Sequence, residues 1–420
     1  MHISGSFIFS KILEDLVAPE DAEFVSPIHY IYDYMSGCPD LSPTQTSDIM
    51  GGLETDSGKK QRPVPRLLVD DKPVIQQNSV ALYPAPAGIP WHTTIPLLRH
   101  NKHWASAVSM ARKLLTLFSE DDTANTTLRR GSKSYADIAK IELNALDRNW
   151  CLFLFYLWPA ADERRLELIT AAIVFVFIFD DVWEMKNEET IRIIQKEFVA
   201  CLKLPDPGDV LAQDGENVTP LQEMISTIIR GFEEEDSECG NGGKDVIKWL
   251  IEFINHPPPT KEFETLREFL DYRIDDAAAQ FVFACVKFSL RSSVQMDSPR
   301  IEKFMKIASD HVCYANDLGS HDKEKKAYIR GDVLYFINAV DMVKKVFHLP
   351  DDDAAKSATL VLQMQTEIEL GRELERLRAS SDVTVEELEY VESVVYALTG
   401  NIFCSVVMSR YGGEDTKLEI

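Results

Sequence analysis

Two groups of oxygen-bearing side chains stand out by their spacing. The first closes an apolar run, LELITAAIVFVFIFDDVWE, and comprises Asp180, Asp181 and Glu184. Asp180 and Glu184 are four residues apart, so on a helix both carboxylates project from one face toward the same point. Hard oxygens grouped this way suit Mg2+, which takes one or two carboxylates, keeps water in its remaining positions and sits beside phosphate oxygens. Taken alone, the pair also fits an acidic helix end facing solvent. The second group lies in HVCYANDLGSHDKEKKAY, where Asn316, Ser320 and Glu324 recur every four residues. At about 3.6 residues per turn these form one stripe, a carbonyl, a hydroxyl and a carboxylate offered to a single hard cation. Lys323, next to the third, supplies a positive charge for phosphate oxygen.

Two further segments carry groups that suit a phosphate. DYRIDDAAAQF contains Arg273, Asp276 and Ala277, with Arg273 43 residues before Asn316. An arginine fork can hold two phosphate oxygens at once, although Arg273 paired with Asp276 on a surface would read the same. GNIFCSVVMSRY, near the carboxyl terminus, ends in Arg410 and Tyr411.

In this order, the four segments resemble the motifs of class I terpene synthases, especially those of fungi and bacteria, from about Trp91 to Tyr411. The resemblance implies an all-α bundle around a central apolar cavity and three Mg2+ ions gripping the diphosphate of a linear prenyl substrate. It implies Asp180, Glu184, Asn316, Ser320 and Glu324 as metal ligands, with Asp180 the dependable member of its motif. Arg273, Lys323, Arg410 and Tyr411 would then hold the diphosphate, with Asp276 as linker and Ala277 as the helix-break effector. That effector position is often glycine in relatives, and Cys404, with Phe403 beside it, stands where relatives often carry tryptophan. Both departures bear on pocket shape.

The chemistry sets its own demands. A carbocation survives only in a closed apolar pocket, with aromatic faces to steady positive charge. Phe153, Phe155, Tyr156, Trp158, Phe175, Phe179, Trp183 and Phe281 stand on the helices that carry or face the motifs. Such stripes more often pack than bind, so about a third are expected to touch substrate.

Positioning these groups falls to helices. Beyond Trp91 the apolar periods read as helices over 104–118, 135–157, 162–184, 190–202, 220–235, 244–255, 261–290, 300–316, 332–347, 353–379 and 384–410, with strand signals nearly absent. Surface loops are expected over 205–219 and 236–243. Residues 1–90, rich in Pro, Gly, Ser, Thr and Asp from Cys38 onward, read as an irregular amino-terminal arm or strap. Residues 91–415 form the helical domain and 416–420 a tail. A chain of 420 residues with 45% hydrophobic composition can bury a core of that size.

Composition excludes several classes. With 44 basic and 68 acidic residues, a formal charge of −24 repels a nucleic-acid backbone, and an anionic substrate must be met by metal cations and a few focused basic groups. Seven cysteines without CxxC pairing, and a first stretch lacking a basic lead and apolar run, predict reduced thiols and a cytoplasmic protein. The longest apolar stretch, Ala171 to Phe179, is nine residues against the roughly 20 a membrane span needs, so no stable insertion is expected. A GxSxG elbow, a glycine-rich phosphate loop and a His/Cys metal cluster are absent, and His311 and His321 suit softer ions.

The expected reaction is ionisation and cyclisation of farnesyl diphosphate to a polycyclic sesquiterpene or its alcohol, by a monomer or homodimer. A twenty-carbon geranylgeranyl substrate stays open. A prenyl diphosphate synthase would show two facing aspartate-rich motifs, and a class II cyclase a DxDD run. A non-catalytic helical scaffold would turn over nothing.

Overall fold

The computed structural model describes residues 73–82, 84, 91–121, 134–146, 151–183, 219–408 and 411, excluding the side chains of residues 145, 151, 152 and 180–183. Among them, chain order runs α1 (Pro73–Asn78), β1 (Ser79–Leu82), β2 (Leu98–Asn101), α2 (Trp104–Glu120), α3 (Tyr135–Ala145), α4 (Cys151–Tyr156) and α5 (Glu163–Trp183). It continues through α6 (Pro220–Glu238), α7 (Gly242–Ile254), α8 (Leu266–Asp276), α9 (Ala279–Ser289), α10 (Glu302–Arg330), α11 (Ala339–Val346), α12 (Asp352–Ala379) and α13 (Val385–Val407).

The centre is built on helices apolar on nearly every side. In α5, residues from Leu166 to Phe179 are almost all buried, as a helix without a polar face must be. Around it pack α2, α3 and α7, while α10 lies between α12 and α13. Helix α13 is apolar and long enough to span a membrane by composition, yet it is largely buried inside the bundle. Local chemistry fixes the ends. Thr219 and Thr384 close capping boxes with Gln222 and Glu387 at the starts of α6 and α13, and Gly331, at φ 76°, ends α10. Two glycines let helices approach: a Cβ on Gly319 of α10 would lie 2.6 Å from that of Ser405, and one on Gly400 would lie 2.3 Å from the Tyr156 carbonyl.

Several elements differ from the sequence reading. The arm is not irregular throughout: α1 and β1 fall inside it, and β1 pairs antiparallel with β2, Leu82 facing Leu98 and Ser79 facing Asn101. Strands of four residues carry too little periodicity to register. The stretch 261–290 is two helices, because Ala278 takes a left-handed conformation at φ 53° that alanine propensity argues against. Helix α10 runs 14 residues past Asn316, so the Asn316 stripe lies within the helix rather than at its end. Only 339–346 of the 332–347 stretch is helical, since the Asn338 side chain caps at Val340 N, 2.9 Å. The 135–157 stretch holds α3 and α4 as separate helices, and the expected loop at 236–243 shrinks to Cys239–Asn241 between α6 and α7. The expected helix at 190–202 and loop at 205–218 lie outside the described residues.

Candidate active site

A cavity of about 200 Å3 opens between α5, α8, α9, α10 and α13. Its deep part is apolar: Phe153, Leu157, Ile173, Val176, Phe177, Phe281, Val282, Val312 and Ala397 line it. Its other end is polar, formed by Arg273, Asp276, Asn316, Lys323, Glu324 and Tyr411. Helix α10 contributes to both, with Val312 on the apolar wall one turn before Asn316.

Arg273 is the hub of the polar end. It is 8% exposed, and its guanidinium donates to Asp317 Oδ1 (2.7 Å from Nη2, 3.1 Å from Nε), to Asn316 Oδ1 (3.3 Å) and to Asp276 Oδ2. Burial works against its charge, but Asp317, Asp276 and the more distant Glu324 hold it well above the ordinary arginine range. Asp317 is fully buried and also accepts from Ala339 N, 2.6 Å. Burial pushes its carboxyl up to about 6 against the pull of Arg273, with Glu324 adding to the rise, so it stays ionised at neutral pH.

The break between α8 and α9 falls at the cavity wall. Ala277 N donates to the Arg273 carbonyl (2.7 Å) and Ala278 N to the Asp275 carbonyl (3.1 Å), while among the described residues no backbone hydrogen bond is made to the Ala277 carbonyl. Both alanines line the cavity. A left-handed Ala278 therefore does here what glycine does in a freer turn.

The stripe on α10 is oxygen-rich and incompletely satisfied. Asn316 Nδ2 lies 3.5 Å from Tyr411 Oη, and Glu324 Oε2 accepts from Asn338 Nδ2 at 2.9 Å. Between them Ser320 is fully buried, and its Oγ has no hydrogen-bond partner among the described residues. An orphaned buried hydroxyl is costly unless something binds it, and flanked by a carbonyl and a carboxylate it fits a hard divalent cation.

The structure thus brings Arg273, Asp276, Ala277, Asn316, Lys323, Glu324 and Tyr411 to one cavity, with Ser320 on the same helix stripe. The side chains of Asp180 and Trp183, and the whole of Glu184 and Arg410, lie outside the described residues. Of the expected aromatics, Phe153 and Phe281 line the cavity, whereas Phe155, Tyr156, Trp158, Phe175 and Phe179 are buried core. Trp158 donates its indole N–H to the Val282 carbonyl (3.2 Å), and Tyr156 packs on Phe403 with ring centroids 4.6 Å apart. Cys404 is likewise buried and is not among the residues that line the cavity.

Phe177, Phe253, Tyr335, Phe336 and Asn401 line the cavity but escaped the sequence reading. The signal for one of them was present: Phe177, Val176 and Ile173 stand three, four and seven residues before Asp180, one helix face leading to the acidic motif. Asp317, which clamps Arg273, was hidden as one more acid in an acidic chain.

Known proteins give the same answer. Residues 171–363 match the family model described as terpene synthase family 2, C-terminal metal binding. Terpene cyclase 6 of Gibberella fujikuroi is 26% identical over 354 residues, covering 82% of this chain and 88% of that protein. Terpene cyclase aneC of Aspergillus aculeatus is 24% identical over 81% of this chain and 75% of its own length. Aristolochene synthase from Penicillium roqueforti superposes with a TM-score of 0.55 at 16% identity, over 71% of this chain and 94% of that one. Wild-type cucumene synthase gives 0.51 at 15% identity, over 76% and 98%. Residues 171–363, just under half of the chain, thus match the metal-binding region of the terpene synthases, and the chain is similar over most of its length to terpene cyclases.

Proposed function

We propose that this enzyme ionises farnesyl diphosphate with Mg2+ and closes the resulting cation into a polycyclic sesquiterpene. The observation that carries the reading is a single cavity whose apolar depth, built from Phe153, Phe177, Phe281 and Val312, meets a mouth holding Arg273, Lys323, Tyr411 and the Asn316 stripe. A prenyl diphosphate has that shape of chemistry: hydrocarbon at one end, a dense anion at the other.

Asn316, Ser320 and Glu324 would hold metal from α10, and Asp180 and Glu184 of the acidic motif would form a second ligand set, three ions in all. Supporting the second set, Asp180 continues the helix face that Ile173, Val176 and Phe177 present to the cavity. What Mg2+ supplies, when bound, is positive charge for the oxygens of the leaving diphosphate. Lys323 and Tyr411 add a positive charge and a hydroxyl at the mouth, and Arg410 follows from its place next to Tyr411. Arg273 reaches the diphosphate by trading its contacts with Asn316 and Asp276, while Asp317 keeps the fork oriented. The apolar depth excludes water and leaves only aromatic and aliphatic faces near the cation.

Several relatives are named for larger products, among them a bifunctional sesterterpene synthase of Aspergillus aculeatus, of which this chain spans 35%. A cavity of about 200 Å3 favours the fifteen-carbon substrate. Purified enzyme with Mg2+ should convert farnesyl diphosphate to an extractable cyclic product at a kcat/KM at least about tenfold above that for geranylgeranyl diphosphate, a gap of about 1.4 kcal/mol. Chelation should abolish turnover of both. Preferred turnover of the twenty-carbon substrate would overturn the substrate assignment, and turnover surviving chelation would overturn the metal chemistry.

A further inference from the structure

We propose that Asn338, just before α11, is a positioning residue for the metal-binding stripe: its side-chain amide holds one oxygen of Glu324 and so aims that carboxylate at the cavity mouth. The inference rests on the function proposed above and concerns a residue outside both acidic segments.

Asn338 is 1% exposed, and both ends of its amide are engaged. Its Oδ1 accepts from Val340 N (2.9 Å), while Nδ2 donates to Glu324 Oε2 (2.9 Å) and to the Asp317 carbonyl (3.0 Å). Two hydrogens on the nitrogen meet two acceptors and the oxygen meets one donor. A flipped amide would set like against like at all three contacts, so the partners fix its orientation.

The neighbouring residue joins the same face of α10. Ala339 N donates to Asp317 Oδ2 (2.6 Å), and Asp317 Oδ1 takes the Arg273 guanidinium at 2.7 Å. Asp317 and Glu324 are seven residues apart, close to two helical turns, so α10 presents both to the start of α11. One joint therefore sets the arginine that would meet the diphosphate and the carboxylate that would meet a cation.

Glu324 needs such a partner because it is only half-buried and carries a long side chain with several rotamers to lose. With Oε2 held, its Oε1 accepts no hydrogen bond among the described residues and is left for a metal ion. Partners that orient a metal ligand from behind typically contribute about 10- to 100-fold in metal affinity.

If Asn338 served only as the cap of α11, any capping residue would do. Aiming and capping use opposite ends of the amide, so they can be separated: serine and threonine keep a capping oxygen and lack Nδ2.

The test is Mn2+ binding to the purified full chain with inorganic diphosphate, read by electron paramagnetic resonance without substrate. Beside it stand thermal melting without metal and turnover of farnesyl diphosphate across a Mg2+ titration. Asn338→Ser should need about 10- to 100-fold more Mn2+ and more Mg2+ for half-maximal turnover, with its melting midpoint within about 2 °C of wild type. Turnover should recover toward the wild-type rate at saturating Mg2+. Asn338→Thr should do the same and keeps the test available if the serine variant does not fold. In a Glu324→Gln background, Asn338→Ser should cost little further Mn2+ affinity, because the group it acts through is gone. Unchanged Mn2+ affinity in the folded variants overturns the inference alone, and so does an equal loss in the Glu324→Gln background. A wild-type chain that neither binds Mn2+ with diphosphate nor turns over any prenyl diphosphate removes the function reading, and this inference with it.

Discussion

At the residue scale, Ser320 separates a structural from a chemical role. Its Oγ is buried and has no hydrogen-bond partner among the described residues, so truncation removes a desolvated hydroxyl without breaking a hydrogen bond. Ser320→Ala should therefore hold or raise the melting temperature while metal-dependent turnover falls by about 10- to 100-fold. Melting by calorimetry beside steady-state kinetics across a Mg2+ titration checks both halves. A variant that melts early and keeps full activity would make Ser320 a packing residue. Asn316→Ala, one turn earlier, should lose at least about hundredfold in turnover with far-UV helicity unchanged. Retained activity there would remove the stripe from the metal assignment. The stripe was visible in sequence because spacing of four is a property of the helix itself. Asp317 was not, because its value comes from burial and from the Arg273 and Ala339 groups brought to it by α8 and α11.

At the element scale, the junction of α8 and α9 is where local preference and tertiary structure disagree. Three consecutive alanines favour a continuous helix, yet α9 packs along α7 while α8 packs on α10 and α11, and the chain must turn between them. The cost falls on Ala278, since a left-handed alanine is strained by roughly 1 kcal/mol. Ala278→Gly should relieve part of this, offset by glycine's greater freedom when unfolded, and raise the midpoint of thermal unfolding by about 1–3 °C with turnover retained. Ala278→Val should lower both. An unchanged or lower midpoint in the glycine variant would mean the turn is not strained. The same disagreement explains what sequence could reveal of the fold. Long, fully apolar α5 and the capped starts of α6 and α13 were legible, because period and cap chemistry are local. The break at Ala278, the non-helical stretch 332–338 over the cavity and the β1–β2 pairing were not, since each is decided by partners distant in the chain. For the same reason Phe175 and Phe179 passed for cavity aromatics while Phe177, between them, is one.

At the scale of the whole molecule, the segment before β2 is fastened to the bundle through one buried carboxylate. Glu367 on α12 accepts from Thr94 N (2.6 Å) and Thr94 Oγ1 (2.7 Å), while its other oxygen meets His311 Nε2 on α10 (3.2 Å) and Gln363 Nε2 (3.1 Å). Gln363 also donates to the His92 carbonyl, 3.2 Å, so a single cluster joins the segment at 91–97 to the helix that carries Asn316. Burial alone would raise the Glu367 carboxyl, but His311 and Thr94 overcome it and hold the group at about 2, below the ordinary 4.5. A carboxylate depressed in the folded state stabilises above its unfolded pKa, and that contribution is lost as pH falls from about 4.5 toward 2. Asp317 works the other way, its raised value favouring the folded state as pH falls from about 6 toward 3.8, a window that lies mostly above that of Glu367. Glu367→Gln should therefore cost on the order of 3 kcal/mol at pH 7 and flatten the loss of stability between about pH 4.5 and 2. Denaturant unfolding of both proteins at a series of pH values reads this directly. If the two stability curves stay parallel through that window, the cluster is not what ties the amino-terminal segment to the catalytic bundle.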